Sequence, residues 1–135
     1  MEKRPFRNDE RNSTNKVELN LGVCSGRHEM PVDNFVFDKI VDPTDVKALE
    51  GKALEWYRSN VTPLIEEGLN VDINIYVTGL TVATIAIVKV FQSEHEFAVD
   101  YDNPTIVHNG QITLWHFNAA GGDYYPQSLF DKAKR

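Results

Sequence analysis

The sequence predicts an α/β domain, with a mixed sheet of about four to six strands and two main helices in two or three layers. Three observations lead to this prediction. Apolar and polar residues alternate along 17–21 and 71–77, as in half-buried strands. Between them, apolar residues recur at three- and four-residue spacing over 43–61, as on one face of a helix. A further segment, 80–94, is long and almost wholly apolar.

Charge and composition narrow the class of protein. The formal net charge is −6, and affinity for nucleic acid comes mainly from Lys and Arg on phosphates, so a nucleic-acid partner is not expected. No apolar run approaches the roughly 20 residues of a membrane span, and the N-terminus lacks the apolar segment of a secretion signal. Cys24 is the only cysteine, which excludes an internal disulfide. These observations predict a cytoplasmic protein with no membrane partner.

Residues 1–16 form a polar arm, and residues 17–135 form one domain of ordinary size. The arm holds five bases against three acids, a net +2, which leaves −8 for the remainder. A second copy of the chain is the simplest surface for such an arm, with Phe6 as its anchor, so we expect a homodimer. The acidic remainder also suits a protein partner with a basic cleft.

The first strand, over residues 17–24, leads into a loop rich in functional side chains. The loop begins with Ser25, Gly26, Arg27 and His28. Arg27 offers two parallel donors to a phosphate, while His28 can act as an acid or a base. We therefore predict that this loop binds an anion. The alternative is an exposed turn in which Arg27 pairs with Glu29.

A short strand is predicted over residues 35–37, and a helix follows it. The helix is expected to start at Asp42 and Pro43, because Asp caps helices and Pro fits the first helical position. It is expected to break at Thr62, restart for one turn and end at Gly68.

The segment 80–94 follows the strand 71–77 and can be a helix or a second strand paired back on the first. Its β-branched residues suit a strand, but its length of about 15 residues exceeds the usual ~5–6 of a strand and favours a helix. Thr81 is an acceptable N-cap. A helix that is apolar all round requires cover from the sheet and from another layer or a second subunit.

The turn between strand and helix consists of Thr78, Gly79, Leu80 and Thr81. Gly79 lets a ligand approach the backbone, and the first amides of a helix attract an anion. In a parallel sheet the turn lies at the same edge as the loop after the first strand, where open α/β sheets bind ligands. We therefore predict a ligand site formed by both loops. The alternative is that the turn only caps a helix and reverses the chain.

Later residues predict further strands, over 97–101 and 112–117. The dipeptide Asn109-Gly110 is a strong signal for a two-residue hairpin, which predicts that residues 105–108 pair with 111–114.

Tyr124 and Tyr125, near Trp115, are expected to form an aromatic wall on which a base can stack. The alternative is a subunit interface, where aromatic residues are enriched.

Other site chemistries find little support. The four histidines are His28, His95, His108 and His116. Their spacing fits no zinc pattern, so no metal and no cofactor is predicted. No phosphate-loop glycine motif and no clear nucleophile occurs, so the protein is not expected to be an enzyme. If it is one, His28 is the candidate catalytic residue.

The layout over residues 17–101, a strand, a glycine-containing loop, a helix, a strand, a Thr-Gly turn and an apolar helix, resembles that of small Rossmann-like sensors of nucleotide signals. No residue role is taken from this resemblance. We predict a binding protein for a nucleotide-like or other phosphate-bearing small ligand, acting as a sensor or by sequestration. The alternatives are an acidic interaction or inhibitor protein and a metal-independent phosphodiesterase.

Overall fold

The computed structural model describes residues 15–26, 30–98, 102 and 106–130. It confirms the predicted α/β class. The elements are, in order, β1 (Lys16–Cys24), β2 (Asn34–Phe37), α1 (Val46–Asn60), α2 (Thr62–Glu66), β3 (Asn70–Tyr76), α3 (Thr81–Glu94), β4 (Glu96–Ala98), β5 (Ile106–His108), β6 (Ile112–Asn118) and β7 (Asp123–Ser128). Almost all of the predicted arm, residues 1–14, lies outside the described residues, as do Arg27 and His28.

Five strands form a mixed sheet in the order β2-β1-β3-β6-β7, and β4 and β5 form a separate antiparallel pair. The first four strands of the sheet are parallel, and β7 is antiparallel to β6. The chain runs from β1 to β2 on one side, then crosses to β3 and β6 on the other. The carboxyl ends of β1 and β3 therefore flank the point where the strand order reverses.

The two main helices, α1 and α3, pack against each other and against one face of the sheet, so the described part has two layers. The face of β3 toward the helices carries Val71, Ile73 and Ile75, which are buried. The alternate residues of β3, including Asn74 and Tyr76, are half-buried on the opposite face. This alternation is the one that predicted the strand.

The two tryptophans lie on opposite sides of the sheet. Trp56 of α1 stacks on Phe91 of α3 with ring centroids 5.8 Å apart. Trp115 of β6 stands beside Tyr76 on the face away from the helices, and its indole N–H donates to Oδ1 of Asn74 at 2.9 Å.

The segment after the Thr-Gly turn is a helix, as its length predicted, while Leu80 and not Thr81 is the N-cap residue. The residues that α3 buries lie on one face: Ala83, Ala86, Ile87 and Phe91. Val82 and Ile85 are exposed. The sheet and α1 therefore cover α3 on one side only.

Helix α1 starts later than predicted. Its N-cap is Asp45, whose carboxylate accepts from the amide of Ala48 at 3.1 Å. The predicted start at Asp42 is wrong. The carboxylate of Asp42 instead accepts from the amide and the hydroxyl of Thr44, at 2.9 and 2.6 Å, in a local turn. The predicted break at Thr62 is confirmed, since α2 starts there.

The predicted hairpin at Asn109-Gly110 is wrong. β5 pairs with β4, whereas β6 pairs with β3 and β7. The cause is a long-range contact: the carbonyl of Asn109 accepts from the amide of Val71 at 2.7 Å. Gly110 packs on the backbone of Val71. The turn is thus held at the start of β3 and leads the chain from one sheet into the other.

A buried polar cluster joins α1, β3 and the residue after α3. Nε2 of His95 lies 2.8 Å from the carbonyl oxygen of Val71, which can only accept, so Nε2 carries a hydrogen. In the neutral ring Nδ1 is then the acceptor, and the hydroxyl of Tyr57 donates to it at 2.6 Å. Both side chains are fully buried. We call Tyr57, His95 and Val71 the His95 cluster.

Burial raises the pKa of Tyr57 above its ordinary value near 10, and the charge of Glu94 adds to the rise. Above pH 10 the phenol of the unfolded chain ionises, while that of the folded chain keeps its proton. The stability that the buried, protonated Tyr57 contributes is therefore complete below pH 10 and is lost as the pH rises above it. We expect the free energy of unfolding to fall by about 1.4 kcal/mol per pH unit there on account of Tyr57 alone.

Tyr57→Phe is expected to remove that part of the slope, which urea unfolding between pH 9 and 11.5 measures. Tyr125→Phe, which removes an exposed phenol, is the control and should keep the slope of the unmodified chain. An unchanged slope in Tyr57→Phe would contradict the prediction.

None of the helices in the described ranges combines the length and the apolar character that crossing a membrane requires.

Candidate functional site

The two loops of the predicted ligand site start at the carboxyl ends of neighbouring strands. Ser25 and Gly26 follow β1, while Thr78 and Gly79 follow β3. The parallel pairing of β1 with β3 brings both loops to one edge of the sheet, at the reversal of strand order. Sequence reasoning thus identified two adjacent segments, although the parts of the first loop with most chemistry lie outside the described residues.

The described part of the first loop is tied to β2. The amide of Ser25 donates to the carbonyl of Phe37 at 3.0 Å, and its hydroxyl donates to the carbonyl of Asp38 at 2.7 Å. The hydroxyl hydrogen of Ser25 is therefore already engaged, which leaves its oxygen to accept. Gly26 is exposed, and a Cβ atom there would have no neighbour within 4 Å, so its backbone is open to a ligand.

The turn after β3 presents the N-terminus of α3. Thr78 is buried, and its hydroxyl oxygen accepts from the amide of Leu80 at 3.3 Å. In the described part of the chain no side chain caps α3. The amides of its first turn have no acceptor within the helix, and they carry the positive end of the helix dipole. Gly79 is exposed with open space around it, so this end of the helix is accessible.

A cleft of about 340 Å³ lies beside this turn. We call it the carboxyl-edge cleft; its lining residues are Val77, Thr78, Gly79, His116, Phe117 and Tyr125. Phe117 is 48% exposed and Tyr125 is 53% exposed. The cleft thus has aromatic residues in its lining, and Thr78 and Gly79 place it next to the turn that leads into α3.

His116 brings an imidazole ring to the cleft. It pairs across the strands with Tyr125, and the two rings are 5.4 Å apart. Nε2 of His116 lies 2.9 Å from Oε1 of Gln127. An amide oxygen only accepts, so Nε2 donates and Nδ1 of the neutral ring is left as an acceptor.

The aromatic wall differs from the predicted one. Tyr124 and Tyr125 are consecutive residues of β7 and lie on opposite faces of the sheet. Tyr124 contacts Tyr76, with ring centroids 5.1 Å apart. Of the two tyrosines only Tyr125 lines the cleft, and its cross-strand neighbour on that face is His116. Phe117 lines the cleft from the end of β6, and its ring centroid lies 5.3 Å from that of Tyr124, which is its own cross-strand neighbour.

Sequence reasoning did not assign His116 and Phe117 to the ligand site. Both lie at the end of β6, and the parallel pairing of β6 with β3 brings them to the turn at Thr78. The available signal was the position of His116 near the end of a predicted strand, since the carboxyl ends of parallel strands share one edge.

The other described histidines lie elsewhere. His95 is in the core, and His108 stacks on Phe130 with ring centroids 3.6 Å apart. Over the described residues, no three His, Cys, Asp or Glu side chains are grouped so that they can hold a metal ion.

Comparison of the chain with protein-family models, with curated proteins and with solved structures finds no match.

Proposed function

We propose that the chain binds a nucleotide-like or other phosphate-bearing small ligand in the carboxyl-edge cleft and acts as a sensor or by sequestration. The observation that supports this most is the cleft itself, which is lined by the turn before α3 and by the aromatic residues Phe117 and Tyr125. A phosphate would accept from the first amides of the helix, and a base would stack on one of the two rings.

Two further features suit such a ligand. The volume of about 340 Å³ falls within the range of small-molecule sites. Nδ1 of His116 can accept from an exocyclic amine of a base, since Gln127 engages Nε2. Arg27 remains the proposed second anion contact, because its loop follows β1 across the strand reversal.

The phosphate contact is tested by Thr81→Asp. Thr81 is exposed in the first turn of α3. A carboxylate there interacts favourably with the helix dipole and should stabilise the fold by about 0.3–1 kcal/mol. The same charge repels a phosphate at the helix N-terminus, so affinity should fall by about tenfold or more. Isothermal titration with ATP, cyclic AMP, cyclic di-AMP and inorganic phosphate measures affinity, and thermal melting measures stability.

Val46→Asp is the matched control, since it places the same charge at the exposed first position of α1, away from the cleft. It should leave affinity unchanged. If none of the four probes binds the unmodified chain, or if Thr81→Asp binds them equally well, the proposed site is wrong.

The aromatic contact is tested by Tyr125→Ala and Phe117→Ala. Base stacking contributes about 1–3 kcal/mol, so the variant that lacks the stacking ring should bind the nucleotides about 5- to 150-fold more weakly. Inorganic phosphate, which has no base, should bind both variants as it binds the unmodified chain. Ile106→Ala removes an equally exposed apolar side chain outside the cleft and is the control. Equal losses for nucleotides and phosphate would contradict stacking.

A metal-independent phosphodiesterase is the second candidate, favoured by the presence of His116 in the cleft. Its Nδ1 can accept a proton, and His28 remains the other candidate base. Mass spectrometry of a bound ligand after long incubation decides between the two functions. Intact ligand supports binding, while a cleaved product that disappears in His116→Gln supports hydrolysis.

The partners that the sequence predicted stay proposals. A homodimer held in part by residues 1–16 remains a prediction, which mass measurement on the full chain and on a chain starting at Asn15 tests. The acidic interaction protein remains the alternative for a chain that binds no small ligand, and nucleic acid remains disfavoured by the net charge of −6.

A further inference from the structure

The two edges of the sheet differ. β7 forms one edge and carries Pro126, which has no amide hydrogen to offer a further strand. β2 forms the other edge, and no described strand pairs with its outer side. The carbonyl of Phe37 turns toward β1, where it accepts from Ser25. Backbone groups of successive strand residues point to alternate sides, so those of Asn34 and Val36 point to the open edge.

A groove lies between this edge and α1. Its volume is about 440 Å³, and Val36, Phe37 and Trp56 form its apolar part. We call it the β2–α1 groove. It is separate from the carboxyl-edge cleft, since no residue lines both. An open strand edge beside an apolar groove is the arrangement with which proteins bind extended peptides: the edge supplies main-chain hydrogen bonds and the groove receives a side chain.

The groove also carries charges of both signs. Lys39 and Lys52 line it together with Asp38 and Glu55. Among the described residues none of these four side chains takes part in an ion pair. Two carboxylates would repel a polyanion such as nucleic acid, whereas unpaired charges of both signs complement a peptide that carries an acid and a base.

We propose that the β2–α1 groove binds an extended peptide segment of another protein as an additional strand on β2. One apolar side chain of the peptide enters the groove against Trp56, and flanking acidic and basic side chains pair with the lysines and carboxylates. This site is independent of the proposed nucleotide site.

The test is selection of binders from a displayed library of random octapeptides on the full chain, followed by affinity measurement on the enriched peptides. We expect peptides that contain an apolar residue next to an acid. The same selection on Lys52→Glu should replace that acid by Lys or Arg, because the charge that it meets is reversed. Lys47→Glu, an exposed change on α1 outside the groove, is the control and should select the original sequences.

Asn34→Pro tests the strand contact. Asn34 is exposed, and proline there removes one outward-facing donor without entering the core. The Asn34→Pro variant should bind the enriched peptides about tenfold more weakly. Its melting temperature should stay near that of the unmodified chain. Absence of enriched peptides would overturn the proposal. So would identical sequences on the unmodified chain and on Lys52→Glu, or peptides that bind folded Asn34→Pro with full affinity.

Discussion

Gly110→Ala is expected to lower the free energy of unfolding by about 4 kcal/mol or more, a large share of the ~5–15 kcal/mol of a typical domain. A Cβ atom at this position would lie 2.0 Å from the carbonyl oxygen and 2.5 Å from the carbonyl carbon of Val71. The backbone φ of +133° is also one that residues with side chains rarely adopt. Val71 lies in the central strand β3, and its amide donates a hydrogen bond to the carbonyl of Asn109, so it cannot move aside.

Gly51→Ala is the matched control. Gly51 lies within α1, and a Cβ atom there has no neighbour within 4 Å. Alanine should therefore stabilise the chain by about 1 kcal/mol through its higher helix propensity. Urea unfolding measures both variants. A Gly110→Ala variant within 1 kcal/mol of the unmodified chain would show that β3 and the turn are not packed as described.

His95→Leu is expected to cost about 4 kcal/mol, because it leaves the Tyr57 hydroxyl and the Val71 carbonyl buried without their partner. The loss should be partly reversed by Tyr57→Phe in the same chain, since this second change removes one of the two unpaired groups. The double variant is thus expected to be more stable than the sum of the single losses predicts.

His108→Leu serves as the control for His95→Leu. His108 stacks on Phe130, a contact that leucine can replace in large part, so a loss of about 1 kcal/mol or less is expected. Losses that add simply in the Tyr57→Phe, His95→Leu double variant would contradict the hydrogen bond between the two side chains.

Local pattern predicted the elements whose residues alternate or recur regularly. The alternation over 71–77 identified β3, and length identified α3, although its period was uninformative. The hairpin at Asn109-Gly110 was predicted wrongly because a contact with Val71, far away in the sequence, decides which strands pair there. The strand β7 was missed, since the pattern of Tyr124, Tyr125 and Pro126 is not that of a central strand, and proline is tolerated at an edge.

The candidate site was predictable where it depends on single loops. The turn at Thr78 was identified from its neighbours in sequence, because a glycine before a helix is a local signal. His116 and Phe117 reach this turn only through the pairing of β6 with β3, and no local pattern reports that pairing. Sequence reasoning therefore identified the edge of the sheet but not the side chains that complete the cleft.

The two tryptophans lie in different parts of the structure, so the fluorescence of each one reports on its own surroundings. Trp56 lines the β2–α1 groove, while Trp115 lies on the other side of the sheet and donates a hydrogen bond to Asn74. These are the only tryptophans in the sequence. When only tryptophan is excited, a Trp115→Phe chain thus emits from the groove alone, so a peptide that enters it changes the emission of Trp56. The fluorescence of a Trp56→Phe chain instead reports the environment of β6, whose last residues border the carboxyl-edge cleft.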